Sequence, residues 1–442
     1  MNYVLQKHKK MGIVLVLSLI LGITLNILPT KANMFLFLGL ILLPTILWRY
    51  EIGIYIAVMA MPAITFKYIA LLIFYTFTCF LIRHIYYQKT LKTTEIDGPI
   101  LLFFIILLVS SFTSITFKQS LKELFLYTSI IFLVIMVAKG LNRKQINYLL
   151  ILFIISATLV SMLGIYQYFT GEIGHRAWVD VKSNPDLEAR AFSIMGNPNI
   201  LAEYLVIVCS LAIALFLDSK NIYRKILMGI VASINILCLV LTFSRGGWIG
   251  FAIALFTILI FEEKRIVPIG ILLGIVSLFF LPDVVIDRIK SIANLKDTSN
   301  AYRFLIWSAA LKMLKDFWIS GVGLGYAAFI KAYPNYTLGG IKAAHAHNVY
   351  LQIAIETGLL GLIIFFYNIL KTYVMGVLTI LQSKDSFYKR ISVASMGAVS
   401  GLLFHGLVEH VLFDYRIVFS FWLIVGLIAA SYKRKENDLQ VI

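Results

Sequence analysis

The sequence predicts an all-α, polytopic integral membrane protein of about 12–14 transmembrane helices. Three observations carry that prediction. Of the 442 residues, 60% are hydrophobic and 14% charged, with a mean hydropathy of +0.90; soluble domains are much less apolar and far more charged. Apolar runs of roughly 15–22 residues recur along the chain, the length a helix needs to cross a bilayer. The net charge of +17 is dispersed in small Lys/Arg groups between those runs, where a nucleic-acid binder would gather it on one face. The bilayer is therefore the expected partner, and nucleic acid is not.

Taken in order, the predicted spans are 11–29, 34–48, 51–66, 68–86, 97–115, 121–138, 146–167, 197–217, 223–242, 247–262, 266–281, 347–371, 391–411 and 416–432. The second and third are short and read equally as one re-entrant pair. The first has a basic flank but no small-residue cleavage site, so it reads as a retained helix. An even number of spans places both termini in the cytoplasm. It also places inside the groups around Lys9, Arg83, Arg143, Arg224, Lys264, Lys389 and Arg434, as the positive-inside rule requires. Cys79, Cys209 and Cys238 all fall within apolar runs and read as small core residues, without disulfide or metal spacing.

Two long segments, 168–196 and 282–346, then fall outside the cytoplasm. In the second, Phe304, Trp307, Leu311, Leu314 and Trp318 recur at three- and four-residue spacing. That spacing predicts a helix lying along the membrane surface, closed by the glycines of "GVGLG" at 321–325. The same "GVGLG" lacks the lysine and the strand–helix context of a nucleotide loop.

Chemistry concentrates at this outer boundary. Arg190, Arg245 and Arg303 stand where topology asks for no positive charge. Guanidinium groups there suit a diphosphate, since they stay charged and donate two hydrogen bonds at once; the competing reading is snorkelling to lipid phosphates. In "AHAHNVYLQIAIETGLLG", Asn348, Gln352 and Glu356 follow at four-residue steps and predict one polar stripe facing the protein interior. Asn199 and Glu203 repeat that step on another helix. For the carboxylates, the alternative is a hydrogen-bond network that only joins helices. His347 stands at the outer mouth, where an imidazole can accept a proton near neutral pH. His345 with His347, and His405 with Glu409 and His410, are candidate metal ligands by residue type; neither set has a zinc spacing, so no metal and no cofactor is expected.

"HNVYLQIAIETGLLGL" from His347 to Leu362 resembles the signature of the bacterial O-antigen ligase and O-antigen polymerase family. That signature is a histidine, then Asn, Ser or Gln, nine residues, Gly, two residues and Gly; His347, Asn348, Gly358 and Gly361 fit it. "SRGGWIG" (244–250), "NPNILAEYL" (197–205) and "YRFLIWSAALKMLKDFWISGVGLG" (302–325) resemble family segments in the same order. The resemblance divides the chain into N-terminal transmembrane helices (1–189), a ligase-like catalytic region (190–371) and C-terminal helices (372–442).

The resemblance implies a metal-independent, inverting glycosyltransferase of a bacterial cytoplasmic membrane with its site on the extracytoplasmic face. The implied donor is a polyprenyl-diphosphate-linked glycan, and the acceptor another glycan or envelope component. His347 matches the family's proposed catalytic histidine, and Arg245 and Arg303 match the arginines proposed to hold the diphosphate. Arg190, Asn199, Asn348, Gln352 and Glu356 are the candidate substrate-binding residues around them. The acceptor separates a polymerase from a ligase, and an Ile- and Lys-rich composition leans towards a surface-polysaccharide polymerase. The rival classes are a solute transporter, which calls for discontinuous helices at mid-bilayer, and a glycolipid flippase, which calls for charge along the whole path.

Overall fold

The computed structural model describes residues 41–88, 90–171, 189–263, 283–290, 298–337 and 340–439, with Gly39 and Pro268 besides. The predicted spans 11–29 and 266–281, most of the first half of 34–48 and parts of both predicted outer segments lie outside these residues. The described residues form helices and no strand, and eight helices are long and apolar enough to cross a membrane. In chain order they are α1 (Glu51–Ala60), α2 (Phe66–Tyr86), α3 (Asp97–Phe112), α4 (Phe117–Gly140), α5 (Arg143–Thr170), α6 (Pro198–Asp218), α7 (Ile222–Leu241) and α8 (Arg245–Glu263). Then follow α9 (Asp283–Lys290), α10 (Thr298–Asp316), α11 (Tyr326–Ala332), α12 (Val349–Gln382), α13 (Ser386–His405) and α14 (Tyr415–Leu439). At 10 residues, α1 rises only about 15 Å and cannot cross a bilayer alone.

Helix α6 runs through the middle of the bundle. Asn197 caps it by accepting the amide of Asn199 at 2.8 Å, and Pro198 occupies its first turn, where a missing N–H costs nothing. Helices α6, α13 and α14 then bury most of their surface, and Gly250 and Gly401 bring the backbones of α8 and α13 together. One end of the bundle carries Lys139–Asp97, Arg143–Asp385 and Arg390–Asp218 ion pairs. The other gathers the α7–α8 turn, the 190–197 segment, residues 283–290, 298–337 and 340–348, and the turns 406–414.

Two predicted elements are corrected there. The span 347–371 is not one continuous helix: α12 continues to Gln382 and breaks at Gly358, whose φ of 75° and ψ of 175° are non-helical. A Cβ at Gly358 would lie 2.2 Å from the Ile319 carbonyl oxygen, so only glycine fits. The break frees backbone groups that a lipid interior cannot satisfy, and the 318–323 turn takes them up. The Val322 and Gly323 amides donate to the Ile355 and Glu356 carbonyls at 2.8 and 3.3 Å, and the Leu359 amide donates to Trp318 at 2.8 Å. Ser110 adds a bond to the Glu356 carbonyl at 2.6 Å. The predicted span 391–411 likewise stops at His405, because Gly406–Asp414 form turns.

The predicted surface helix is present as α10. Ile306, Ala309, Ala310 and Met313 are buried, whereas Phe304, Leu311 and Trp318 of the predicted stripe stay more than half exposed, and Leu314 packs against the buried face.

Candidate active site

The turn from α7 into α8 collects three arginines. The last carbonyls of α7 have no partner further along the helix and carry the negative end of its dipole. Arg190 Nε donates to the Thr242 carbonyl at 2.7 Å and Arg288 Nε to the Phe243 carbonyl at 3.2 Å. Arg190 Nη2 also donates to Asn199 Oδ1 at 3.1 Å, and the Ala191 amide donates to Leu241 at 2.8 Å. Arg245 is the first residue of α8, next to Phe243, which is held at a φ of 50°. Burial, then the charges of Arg288 and Arg245, lower the Arg190 guanidinium to about 9. Three positive charges thus sit close enough to oppose one another beside the N-terminus of α8, a natural place for an anion.

Gly246 links this turn to the histidines. A Cβ there would meet the His405 ring at 2.2 Å, so the residue after Arg245 must be glycine for the ring to pack. The turn that precedes α12 is built as tightly. His347 has a φ of 46°, a conformation a side chain rarely adopts unless its surroundings enforce it. They do so from both sides. Ala346 donates its amide to Gln352 Oε1 at 2.8 Å, and Asn348 caps α12 by accepting the Leu351 amide at 2.9 Å. The Val349 amide donates to Gly406 at 2.8 Å, Asn348 Nδ2 to Leu407 at 2.9 Å, and Trp307 Nε1 to the His347 carbonyl at 3.3 Å.

The His347 ring then meets Glu409, with Nδ1 and Oε1 2.8 Å apart. A carboxylate only accepts, so Nδ1 carries the proton and the neutral ring presents an unprotonated Nε2. Arg303 approaches the other oxygen of Glu409 at 3.8 Å, and the Glu409 Oε1 also accepts the His410 amide at 3.0 Å. Burial alone would raise the Glu409 carboxyl. The hydrogen bond from His347 and the charges of His347, His345 and Arg303 outweigh it and hold the group below the usual carboxylate range. His345 accepts the His347 amide at Nδ1, 3.2 Å away, and burial lowers its imidazole to about 4. Nitrogen or oxygen atoms of His345, His347 and Glu409 lie within 4.8 Å of one another, close enough to surround an ion. The Arg303 charge competes for the same carboxylate.

The predicted residues thus fall into three places. Arg190, Arg245 and Asn199 come together at the α7–α8 turn. His347 and Arg303 meet at Glu409, with His345 beside them. Asn348, Gln352 and Glu356 are engaged within the protein: Gln352 is fully buried and donates Nε2 to Glu356 Oε1 at 2.7 Å. Sequence reasoning considered Glu409 only as a metal ligand and passed over Arg288. The criterion that singled out the other arginines, a guanidinium on the outer side, applies to Arg288 as well.

Residues 228–366 match the sequence profile of the O-antigen ligase family. The matched stretch contains the α7–α8 turn, Arg288, Arg303, His347 and the broken part of α12. The match supports the O-antigen ligase/polymerase family for this multi-pass membrane protein, and with it a glycosyl-transferring activity. A comparison with curated proteins returned no match.

Proposed function

We propose that this chain transfers or polymerises oligosaccharide from a polyprenyl-diphosphate-linked donor on the extracytoplasmic face of a bacterial cytoplasmic membrane. The observation that carries the reading is the His347–Glu409 pair beside the arginine turn. His347 Nε2 takes the proton of an acceptor hydroxyl, and Glu409 holds the ring in the right tautomer and balances the imidazolium that forms. The acceptor oxygen attacks the anomeric carbon from the side opposite the diphosphate, and the bond to the phosphate oxygen breaks with inversion. Its electron pair leaves on polyprenyl diphosphate, which Arg245, Arg190 and Arg288 stabilise from one side and Arg303 from the side of the dyad. Asn199 positions Arg190; Asn348 and Gln352 position His347, and Glu356 supports Gln352. A diphosphate is already a good leaving group, so the proposal requires no metal.

The broken helix α12 is the feature a transporter reading would use, since freed carbonyls can bind ions. Here the freed carbonyls of Ile355 and Glu356 are occupied by Val322, Gly323 and Ser110, which favours the transferase.

Two measurements test the proposal. Purified protein given lipid-linked oligosaccharide should form longer or transferred glycan in the presence of chelator; activity lost with chelator and restored by a divalent ion would refute the metal-free mechanism. For the face, Asn335 is exposed and the cysteines of the chain are buried. A cysteine at Asn335 should therefore react with an impermeant thiol reagent in intact cells, and protection until lysis would reverse the topology.

A further inference from the structure

Beside the dyad lies a cavity of about 450 Å³ that the mechanism above does not use. It is bounded by the start of α4, the turn at Gly325, the end of the first segment of α12 and residues 410–415. Its size is that of a small-molecule site, and its chemistry is the reverse of the arginine turn. Glu123, Glu356 and Asp414 line it, and no Lys or Arg does so among the described residues. Such a cavity repels a diphosphate.

Some of this acidity is already used. Glu356 accepts from Gln352, and Asp414 Oδ2 accepts from Arg416 at 2.6 Å. One carboxylate keeps spare capacity: Glu123 lines the cavity and makes no hydrogen bond or ion pair among the described residues. His410 also borders the cavity, with its Nδ1 buried away from it. The remaining wall is apolar and largely aromatic. Tyr127, Tyr326 and Phe413 line the cavity, with Tyr326 and Phe413 edge to face at 6.0 Å. Phe413 then packs 4.7 Å from the ring of His345, itself 4.2 Å from that of His347. The aromatic wall thus leads from the cavity to the base.

We infer that this cavity is the subsite for an uncharged, hydroxyl-rich sugar ring of the acceptor glycan. Sugar hydroxyls donate to the carboxylates, Glu123 above all, and the apolar face of the ring lies against Tyr326 and Phe413. The acceptor is presented from the acidic side while the donor diphosphate is held on the arginine side. His347 lies between the two. The inference rests on the glycosyl-transfer reading.

The probe is the free oligosaccharide released from the lipid-linked donor by mild acid and tritiated by reduction, tested by equilibrium dialysis against full-length purified protein. Wild type should bind it saturably. Glu123→Gln and Tyr326→Ala should each weaken binding about tenfold or more, as the loss of a bond to a charged group or of a stacking face implies, while Arg245→Ala binds as wild type does. In the transfer assay, both cavity variants should raise the acceptor KM and leave the donor KM unchanged. Unchanged binding in both cavity variants would overturn the inference, as would Arg245→Ala weakening binding as much as Glu123→Gln. If the transferase reading alone is wrong, wild type shows no transfer while dialysis still reports binding that Glu123→Gln weakens.

Discussion

At one end of the bundle acids and bases meet in pairs: Lys139 with Asp97 at 2.6 Å, Arg143 with Asp385 at 3.1 Å, Arg390 with Asp218 at 3.3 Å. At the other end pairs also occur, such as Arg416 with Asp414 at 2.6 Å, but Arg190, Arg245 and Arg288 gather around one turn and three carboxylates around one cavity. Backbone strain divides in the same way. Of the four non-glycine residues at positive φ among those described, Ser193, Phe243 and His347 belong to the second end and only Gln88 to the first. Pairwise neutralisation is what a fold needs at a lipid boundary. A histidine held in the left-handed region is unfavourable in itself and persists only where its surroundings enforce it, as often happens at functional sites. The proposed function places the substrate at the second end.

The contrast breaks most visibly at Gly358. Gly358→Ala must adopt a φ of 75° and place a Cβ 2.2 Å from the Ile319 oxygen. Little folded protein should survive extraction, measured by yield and size-exclusion profile. A normal yield would mean that the break is not what seats the 318–323 turn.

Next in size is Arg245→Gln. Removing one of three crowded guanidinium groups should cost transfer about 10²–10³-fold, as for other groups that stabilise developing charge, without lowering thermal stability. Arg245→Lys should recover only part of the rate, because a point charge lacks the fork. A destabilised Arg245→Gln protein would show that the arginines are structural.

Acidification gives a smaller effect of fixed sign. Burial chiefly lowers His345 to about 4 from an ordinary 6.5, Glu409 opposing and His347 and Arg303 assisting. The unfolded chain therefore takes up this proton first as pH falls. Stability is full above about pH 6.5 and declines towards pH 4, by about 3 kcal/mol at most from this group. His410, also lowered by burial, adds to the same slope. Thermal melts from pH 7 to 5 should show the decline, and His345→Asn should reduce it; an unchanged slope would place the titration elsewhere. The smallest effect belongs to the paired end. Arg390→Gln should keep full transfer and lose no more than about 1 kcal/mol, the ordinary worth of a partly exposed ion pair.

Much of the fold was legible because lipid restricts the choices. Apolar length and basic spacing locate the helices of a membrane protein almost by themselves, as α4 to α8 show. The break at Gly358 was not, because "ETGLLG" keeps helical hydropathy, and its cause is a turn some forty residues earlier. The inward face of α10 was not legible either: the large apolar residues mark the stripe predicted for a surface helix, while small ones such as Ala309 and Ala310 are the buried ones. Among the candidate site residues, His347, Arg245, Arg190 and Arg303 stand out in the sequence by residue type at an expected outer boundary. Glu409 did not, because nothing local ties it to a histidine 62 positions away.

The central claim is that His347 and Glu409 act as one unit, and a double-mutant cycle on transfer rate tests it most directly. His347→Ala should lower kcat about 10²–10⁴-fold, and Glu409→Gln should also lower it. Adding Glu409→Gln to His347→Ala should cost almost nothing more, because a carboxylate that orients a base has no role once the base is gone. Full additivity of the two losses, or a His347→Ala enzyme that turns over like wild type, would contradict the account.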